Sequence, residues 1–181
     1  MIPLEIARHT TPLGAVQMAL HDGALCALAF DDVLPRLPWL LERRFGAFES
    51  RGPGAHTARV ARALDAYFAG DLTGLAALSV DPGGTPFQCA VWSALRAIRP
   101  GETLSYAAIA RGIGRPDAAR AVGAACGANP IWLVVPCHRA IGSDGRLVGY
   151  AGGLERKGWL LHHEQKPAHT GASRRGAPAA A

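Results

Sequence analysis

The segment Ser79-Val80-Asp81-Pro82-Gly83-Gly84-Thr85-Pro86 constrains this chain most. Two prolines and two glycines without periodicity interrupt both helix and strand, so the segment reads as a linker between two sets of elements. Before it, Leu13 to Leu20 and Ala24 to Phe30 are β-compatible. Asp22-Gly23 between them is a hairpin signal, because glycine accepts the positive φ of a type I′ turn. Arg36 to Phe45 predicts a short helix, and Ala55 to Ala69 a longer one ended by Gly70. Val60, Leu64, Tyr67 and Phe68 make one apolar stripe on the second.

After the linker, Phe87 to Ile98 predicts a helix with Phe87, Val91, Leu95 and Ile98 on one face, stopped by Arg99-Pro100-Gly101. Ser105 can N-cap a helix running to Arg111. Gly112-Ile113-Gly114 breaks it. Pro116 then suits the first position of another helix, with Asp117 in its first turn and its body from Ala118 to about Ala128. The spacing fits a helix-turn-helix, and also the commoner αα-hairpin buried in a core. Ile131 to Val135 is a β-branched run that predicts a buried strand, ended by Pro136. Ser143-Asp144-Gly145 is a turn, Gly149-Tyr150-Ala151-Gly152-Gly153 a loop, and Leu154 to Glu164 a final helix.

Hydrophobic residues are 49% of the 181 and charged residues 18%. Soluble domains carry about 25% charge, so a core is well supplied and a wholly disordered chain is excluded. No apolar run approaches the ~18 residues of a membrane span. Met1-Ile2-Pro3-Leu4-Glu5 lacks the pattern of a signal peptide. Cys26, Cys89, Cys126 and Cys137 form no CxxC, against a disulfide or zinc scaffold and in favour of a reducing compartment. The net charge of +5 permits a polyanionic partner without naming one.

Cys137 is the main candidate for chemistry. It follows the apolar run and precedes His138 and Arg139, and nearby positive charge is expected to lower a thiol pKa. The alternative is a buried structural cysteine. Cys26, Cys89 and Cys126 have only small or apolar sequence neighbours. His138, adjacent in sequence, is poorly placed as a direct base on Cys137 unless the turn is unusual or a water bridges them. A third group would orient it, and Glu164 on the final helix is the candidate. The helix after Pro116 carries, beyond Arg120, no side chain able to read base edges. Its small residues suit a shallow groove or a tight helix contact. The glycine-rich loop lacks the strand and helix context of a phosphate loop and reads as a pocket wall. His9, His21, Cys26 and His56 match no compact zinc spacing.

Taken together, the residues from Thr85 to Glu164 resemble the O⁶-alkylguanine-DNA alkyltransferase family. The resemblance is carried by Thr85-Pro86-Phe87-Gln88, Val91-Trp92, Gly101-Glu102-Thr103, Ser105-Tyr106, Ile109-Ala110, Arg120-Ala121-Val122-Gly123, Asn129-Pro130, Pro136-Cys137-His138-Arg139, Gly149-Tyr150-Ala151-Gly152-Gly153 and Leu160-Leu161-His162-His163-Glu164. It implies an α+β chain. A ribonuclease H-like α/β domain would span 1–80, and a mainly helical domain with a helix-turn-helix 85–165. A disordered tail would follow over 166–181.

The resemblance further implies DNA repair. A lesion flipped from double-stranded DNA, bound through the minor groove, would lose its alkyl group to Cys137. His138 would act through a water, Glu164 would hold His138, and Asn129 would brace the active segment. Tyr106 would help rotate the nucleotide and protonate the leaving guanine. Arg120 would fill the gap in the stack, with Gln88, Arg115 and Ser143 also on the DNA. Pro130, Tyr150, Ala151 and Gly152 would shape the pocket. No cofactor or metal is implied, and the protein would be a cytoplasmic monomer with no membrane partner. Two positions depart from the family pattern: Ala140 stands where a β-branched residue is usual, and Ala151 where some relatives have serine. A lesion-binding protein without catalysis and a cysteine hydrolase are the competing readings. Alkylation of the protein itself separates them.

Overall fold

The computed structural model describes residues 1–33 and 37–165. The start of the first expected helix at Arg36 and the expected tail at 166–181 lie outside the described residues. β1 (Ile2–Thr11), β2 (Gly14–His21) and β3 (Ala24–Phe30) form an antiparallel meander, and β4 (Phe48–Arg51) adds in parallel to β1, giving the order β3-β2-β1-β4. The Asp22-Gly23 turn has φ of 46° and 77°, both positive as a type I′ turn requires. The sequence reading contains neither β1 nor β4. β1 mixes Pro3, Glu5, Arg8 and His9 into its apolar residues, and β4 is short and polar.

β3 is buried on both faces. Cys26 and Ala27 pack with Leu4, Ala19 and residues Leu37 and Leu41 of α1 (Leu37–Phe45) in a small core. On the other face, Leu25, Leu28 and Phe30 join the main core. This includes Val60, Leu64 and Tyr67 of α2 (Ala55–Phe68) and Val91, Trp92 and Leu95 of α3 (Pro86–Ala97). The apolar interior therefore runs without a break from the sheet into the C-terminal helices.

The free edge of β3 needs partners for its backbone groups, and two segments supply them. Leu25 N donates to Ser79 O (2.9 Å), and Asp81 N donates to Leu25 O (2.9 Å). Leu28 N donates to Pro130 O (2.9 Å), and Trp132 N donates to Leu28 O (2.8 Å). The start of the expected linker is thus tied to the sheet, and the segment leading to Cys137 is tied beside it.

Residues Ile131 to Val135 are buried, as expected, but are not a strand. Only Ile131 bridges to β3. The chain then coils through Leu133 at φ 68°, with Val135 N donating to Ile131 O (2.9 Å). A β-branched run signals burial, and here local turns satisfy the backbone instead of a ladder.

Thr85 and Gln88 form a reciprocal capping box at the start of α3. Ser105 Oγ accepts from Ala108 N (3.1 Å) and caps α4 (Tyr106–Gly112). α5 (Ala119–Gly127) begins later than expected from Pro116. Arg115, Pro116 and Asp117 make a turn closed by Ala118 N donating to Arg115 O (2.9 Å), so the proline serves the turn and not the helix. β5 (Leu104–Ser105) and β6 (Ala140–Ile141) pair in parallel, joining the start of α4 to the chain just past Cys137. α6 (Leu154–Gln165) closes the described fold. The class is mixed α+β.

Candidate active site

Cys137 opens a single 3-10 turn, Cys137–Arg139, and is buried. Asn129, just past α5, holds this turn to the coil before it. Its Nδ2 donates to Val135 O (2.8 Å) and to Cys137 Sγ (3.2 Å), and its Oδ1 accepts from Ile131 N (2.9 Å). Asn129 O accepts from Trp132 Nε1 (2.9 Å). One side-chain amide therefore fixes the sulfur and the coil that leads to it.

His138 is fully buried, and its Nε2 lies 2.9 Å from Glu164 Oε1. Burial works to raise the Glu164 carboxyl, but donation from His138 and Arg139 outweighs it and holds the group well below the usual carboxylate range. An ionised carboxylate only accepts, so Nε2 carries the hydrogen and Nδ1 the lone pair. Nδ1 is buried and has no hydrogen-bond partner among the described residues. Arg139 donates to Glu164 from Nε (to Oε2) and from the terminal Nη2 (to Oε1), each at 2.9 Å, and from Nη1 to Ile98 O (2.5 Å). Gly101 N also donates to Oε2 (3.2 Å), and Tyr67 Oη donates to Oε1 (2.7 Å).

The loop before α6 forms the other wall. Tyr106 Oη donates to Val148 O (3.0 Å). Lys157 is fully buried and donates to Ala140 O (2.6 Å), Val148 O (2.7 Å) and Gly149 O (3.3 Å). The Tyr150 ring lies edge-on to His138 (6.4 Å between centroids) and tilted against Trp132 (5.8 Å). Its hydroxyl is buried with no partner among the described residues. A Cβ on Gly152 would stand 2.6 Å from the Tyr150 ring, so the ring's seat requires glycine.

These contacts correct the expectation of a lowered thiol pKa. Burial pushes the Cys137 thiol up, against the Asn129 hydrogen bond and the Lys157 charge. Burial likewise pushes His138 down, against Glu164. The charge on Glu164 is already balanced by Arg139, so the resting pair is a neutral thiol and a neutral imidazole whose free nitrogen can take a proton.

The structure brings Cys137, His138, Glu164 and Asn129 together, with Tyr106 and Tyr150 at the loop. Arg120 is exposed in the first turn of α5, Arg115 in the turn before it, and Ser143 in the turn after β6. Gln88 caps α3, its Oε1 accepting from Thr85 N (2.9 Å). Pro130 is half-buried and gives its carbonyl to β3, while Ala151 is exposed. His9 pairs with Asp65, His56 with Glu5 and His21 with Asp22, and the Cys26 thiol donates to Ala19 O.

Sequence reasoning gave no role in the site to Lys157 or Tyr67, and gave Arg139 only that of a charge beside the thiol, where it is instead the partner of Glu164. For Lys157 a signal existed: positions 157, 160, 161 and 164 share one face of α6 by helical spacing. Lys157 therefore faces inward with Leu160, Leu161 and Glu164.

Comparison with known proteins places this arrangement in context. A family model described as "6-O-methylguanine DNA methyltransferase, DNA binding domain" matches residues 86–166. A Salmonella typhimurium protein named methylated-DNA–protein-cysteine methyltransferase is 45% identical over 170 residues, covering 91% of this chain and 97% of the relative. One of the same name from Mycobacterium leprae is 46% identical over 158 residues, covering 86% and 88%. The crystal structure of Mycobacterium tuberculosis OGT in complex with DNA superposes with a TM-score of 0.76 at 41% identity, covering 91% of this chain and 93% of that one.

Proposed function

The chain belongs to the methylated-DNA–protein-cysteine methyltransferase family, and from that premise we propose that Cys137 removes the alkyl group from O⁶-alkylguanine in DNA. O⁴-alkylthymine is the poorer substrate. The observation that carries the assignment to Cys137 is that one buried turn holds two pairs side by side, Cys137 on Asn129 and His138 on Glu164. The Cys137 proton passes through one water to His138 Nδ1, and Glu164 stabilises the resulting imidazolium. The sulfur attacks the alkyl carbon and the carbon–oxygen bond breaks. Guanine departs with the electron pair and takes a proton from the Tyr106 hydroxyl. That hydroxyl is held protonated, because burial pushes its pKa to about 12. The thioether formed is not cleaved, so each molecule acts once and no cofactor enters. Pro130, Tyr150, Ala151 and Gly152 form the pocket.

The DNA partner is a duplex, read from its minor groove through α4, the turn and α5 acting as a helix-turn-helix. A Cβ built on Gly123 or Gly127 meets nothing within 4 Å, so packing inside the protein does not demand glycine at either position. Small residues on that face instead permit close approach to a backbone. Arg120, Arg115 and Ser143 stand exposed. The order β3-β2-β1-β4, with its single parallel pair, supports a ribonuclease H-like description of the N-terminal part. The reading makes the protein a cytoplasmic monomer. Among the described residues, no helix is long and apolar enough to cross a membrane.

The protein mixed with a duplex containing O⁶-methylguanine is expected to gain the mass of one methyl group, mapped to the peptide with Cys137 and absent in Cys137→Ala. Methylation of Cys26, Cys89 or Cys126 at a comparable rate would overturn the assignment. Binding without a mass change would mark a lesion sensor, and repeated turnover a hydrolase.

Arg120→Ala is expected to slow repair in a duplex far more than reaction with the free base, because only the duplex requires a gap in the stack to be filled. Equal losses on both would contradict that role. A pure phosphate contact would instead lower the salt slope by about one unit.

A further inference from the structure

We infer that Tyr67 is a positioning residue for alkyl transfer: its hydroxyl, reaching from α2 to Glu164, sets how strongly that carboxylate holds His138. The inference rests on the proposed role of Cys137, His138 and Glu164. Tyr67 precedes the segment matched by the family model, residues 86–166, and stands outside the residues that carry the sequence resemblance. In the sequence it is one member of an apolar stripe.

The geometry gives the residue more to do than packing. Tyr67 is completely buried, and its hydroxyl donates to Glu164 Oε1 at 2.7 Å, the shortest of the donations to that oxygen. The same oxygen accepts from His138 Nε2 and Arg139 Nη2, both at 2.9 Å. The phenol and the imidazole therefore compete for one oxygen. The ring is seated firmly. His163 Nε2 donates to Tyr67 O (2.8 Å), and the His163 and Phe68 rings stand edge-on to it. Burial and the Glu164 charge both keep the phenol protonated, so it remains a donor at any working pH.

The charged and titratable groups around this site are Tyr67 from α2, Cys137 and Arg139 from the reactive turn, Tyr150 from the loop, and Arg156, Lys157 and His163 from α6. Arg139 fixes the net charge, and Tyr67 tunes what is left. Each donor on Oε1 draws negative charge away from the imidazole. Without the phenol, the carboxylate holds the His138 proton harder, and the imidazolium forms at higher pH. Protonation removes the free nitrogen that must accept from Cys137, so the acid limb of the transfer reaction should move upward.

The test measures single-turnover alkyl transfer from an O⁶-methylguanine duplex against pH. Tyr67→Phe keeps the ring and removes only the hydroxyl. Its acid limb is expected to rise by on the order of half a pH unit. A ring-fluorinated tyrosine at position 67 is a stronger donor of nearly the same shape, and is expected to move the limb the other way. This second variant decides the matter alone if Tyr67→Phe does not fold. An unshifted limb in the folded variants, even with a lowered melting temperature, would reduce Tyr67 to packing and overturn the inference. Wild-type protein runs alongside. If it gains no methyl group, the reading of Cys137 fails and takes this inference with it. If it reacts and the limbs coincide, only the role of Tyr67 fails.

Discussion

Glu164→Ala is expected to lower folding stability by about 3–5 kcal/mol, the usual penalty for removing one partner of a buried ion pair. Arg139 would keep its buried guanidinium with only Ile98 O to accept from it. Tyr67 Oη, His138 Nε2 and Gly101 N would lose their acceptor as well. Transfer should fall by about 10²- to 10⁴-fold, the range of general acid–base assistance, because nothing then fixes which imidazole nitrogen carries the hydrogen. Denaturant melts of the two proteins at neutral pH check the first number. A loss below about 1 kcal/mol, typical of exposed pairs, would mean that the carboxylate is not the organising charge. The pH dependence has a definite sign. The folded carboxyl is depressed, so its contribution is present above the ordinary value of 4.5 and is lost as the pH falls below it. Wild type should therefore lose stability in acid faster than Glu164→Gln does.

Methylation of Cys137 is expected to destabilise the protein it completes. The thiol is 5% exposed, accepts from Asn129 Nδ2 and sits in a turn whose neighbours are themselves buried. An added methyl overpacks this space at about 1–3 kcal/mol. For a chain of this size that is a fall of about 2–12 °C in melting temperature. Asn129 also ends α5, its N donating to Cys126 O (3.3 Å), so displacement of the sulfur pushes on the helix assigned to DNA. The spent protein should then bind duplex more weakly. A benzyl group should lower the melt further unless Ala140, smaller than the usual β-branched residue and fully buried, leaves room for it. Equal or higher melting after modification would refute the argument and point to a pocket enlarged at Ala140.

The site was more legible in the sequence than the sheet. Cys137 and His138 are adjacent in the chain, and their chemistry is carried by residue type and order, whereas Asn129 came only with the family resemblance. Glu164 could be named because the last helix must fold back on something. Tyr67 shows where such reading stops. Its spacing with Val60 and Leu64 correctly marked a buried face, but periodicity counts a tyrosine as apolar and does not ask where the hydroxyl goes. Ile131 to Val135 failed in the opposite way. The run is buried, yet a side-chain pattern does not show whether a neighbouring strand is there to pair with it. β1 escaped because Pro3 and its charged residues obscure alternation, and its identity as a strand depends on β2 and β4 flanking it.

Glu164 lies in the last turn of α6, and Tyr67 sits almost a hundred positions earlier. Synthesis runs from one to the other. While the chain is emerging from the ribosome, Cys137, His138 and Arg139 are made before the carboxylate that balances and orients them. Until α6 is complete the guanidinium has no counter-charge, so the turn gains nothing by burying it. A chain cut short before position 164 carries the acceptor sulfur without the carboxylate that orients its histidine. The reactive turn is therefore finished by the last residues of the described fold, and a fragment that ends short of them accepts an alkyl group far more slowly than the finished chain.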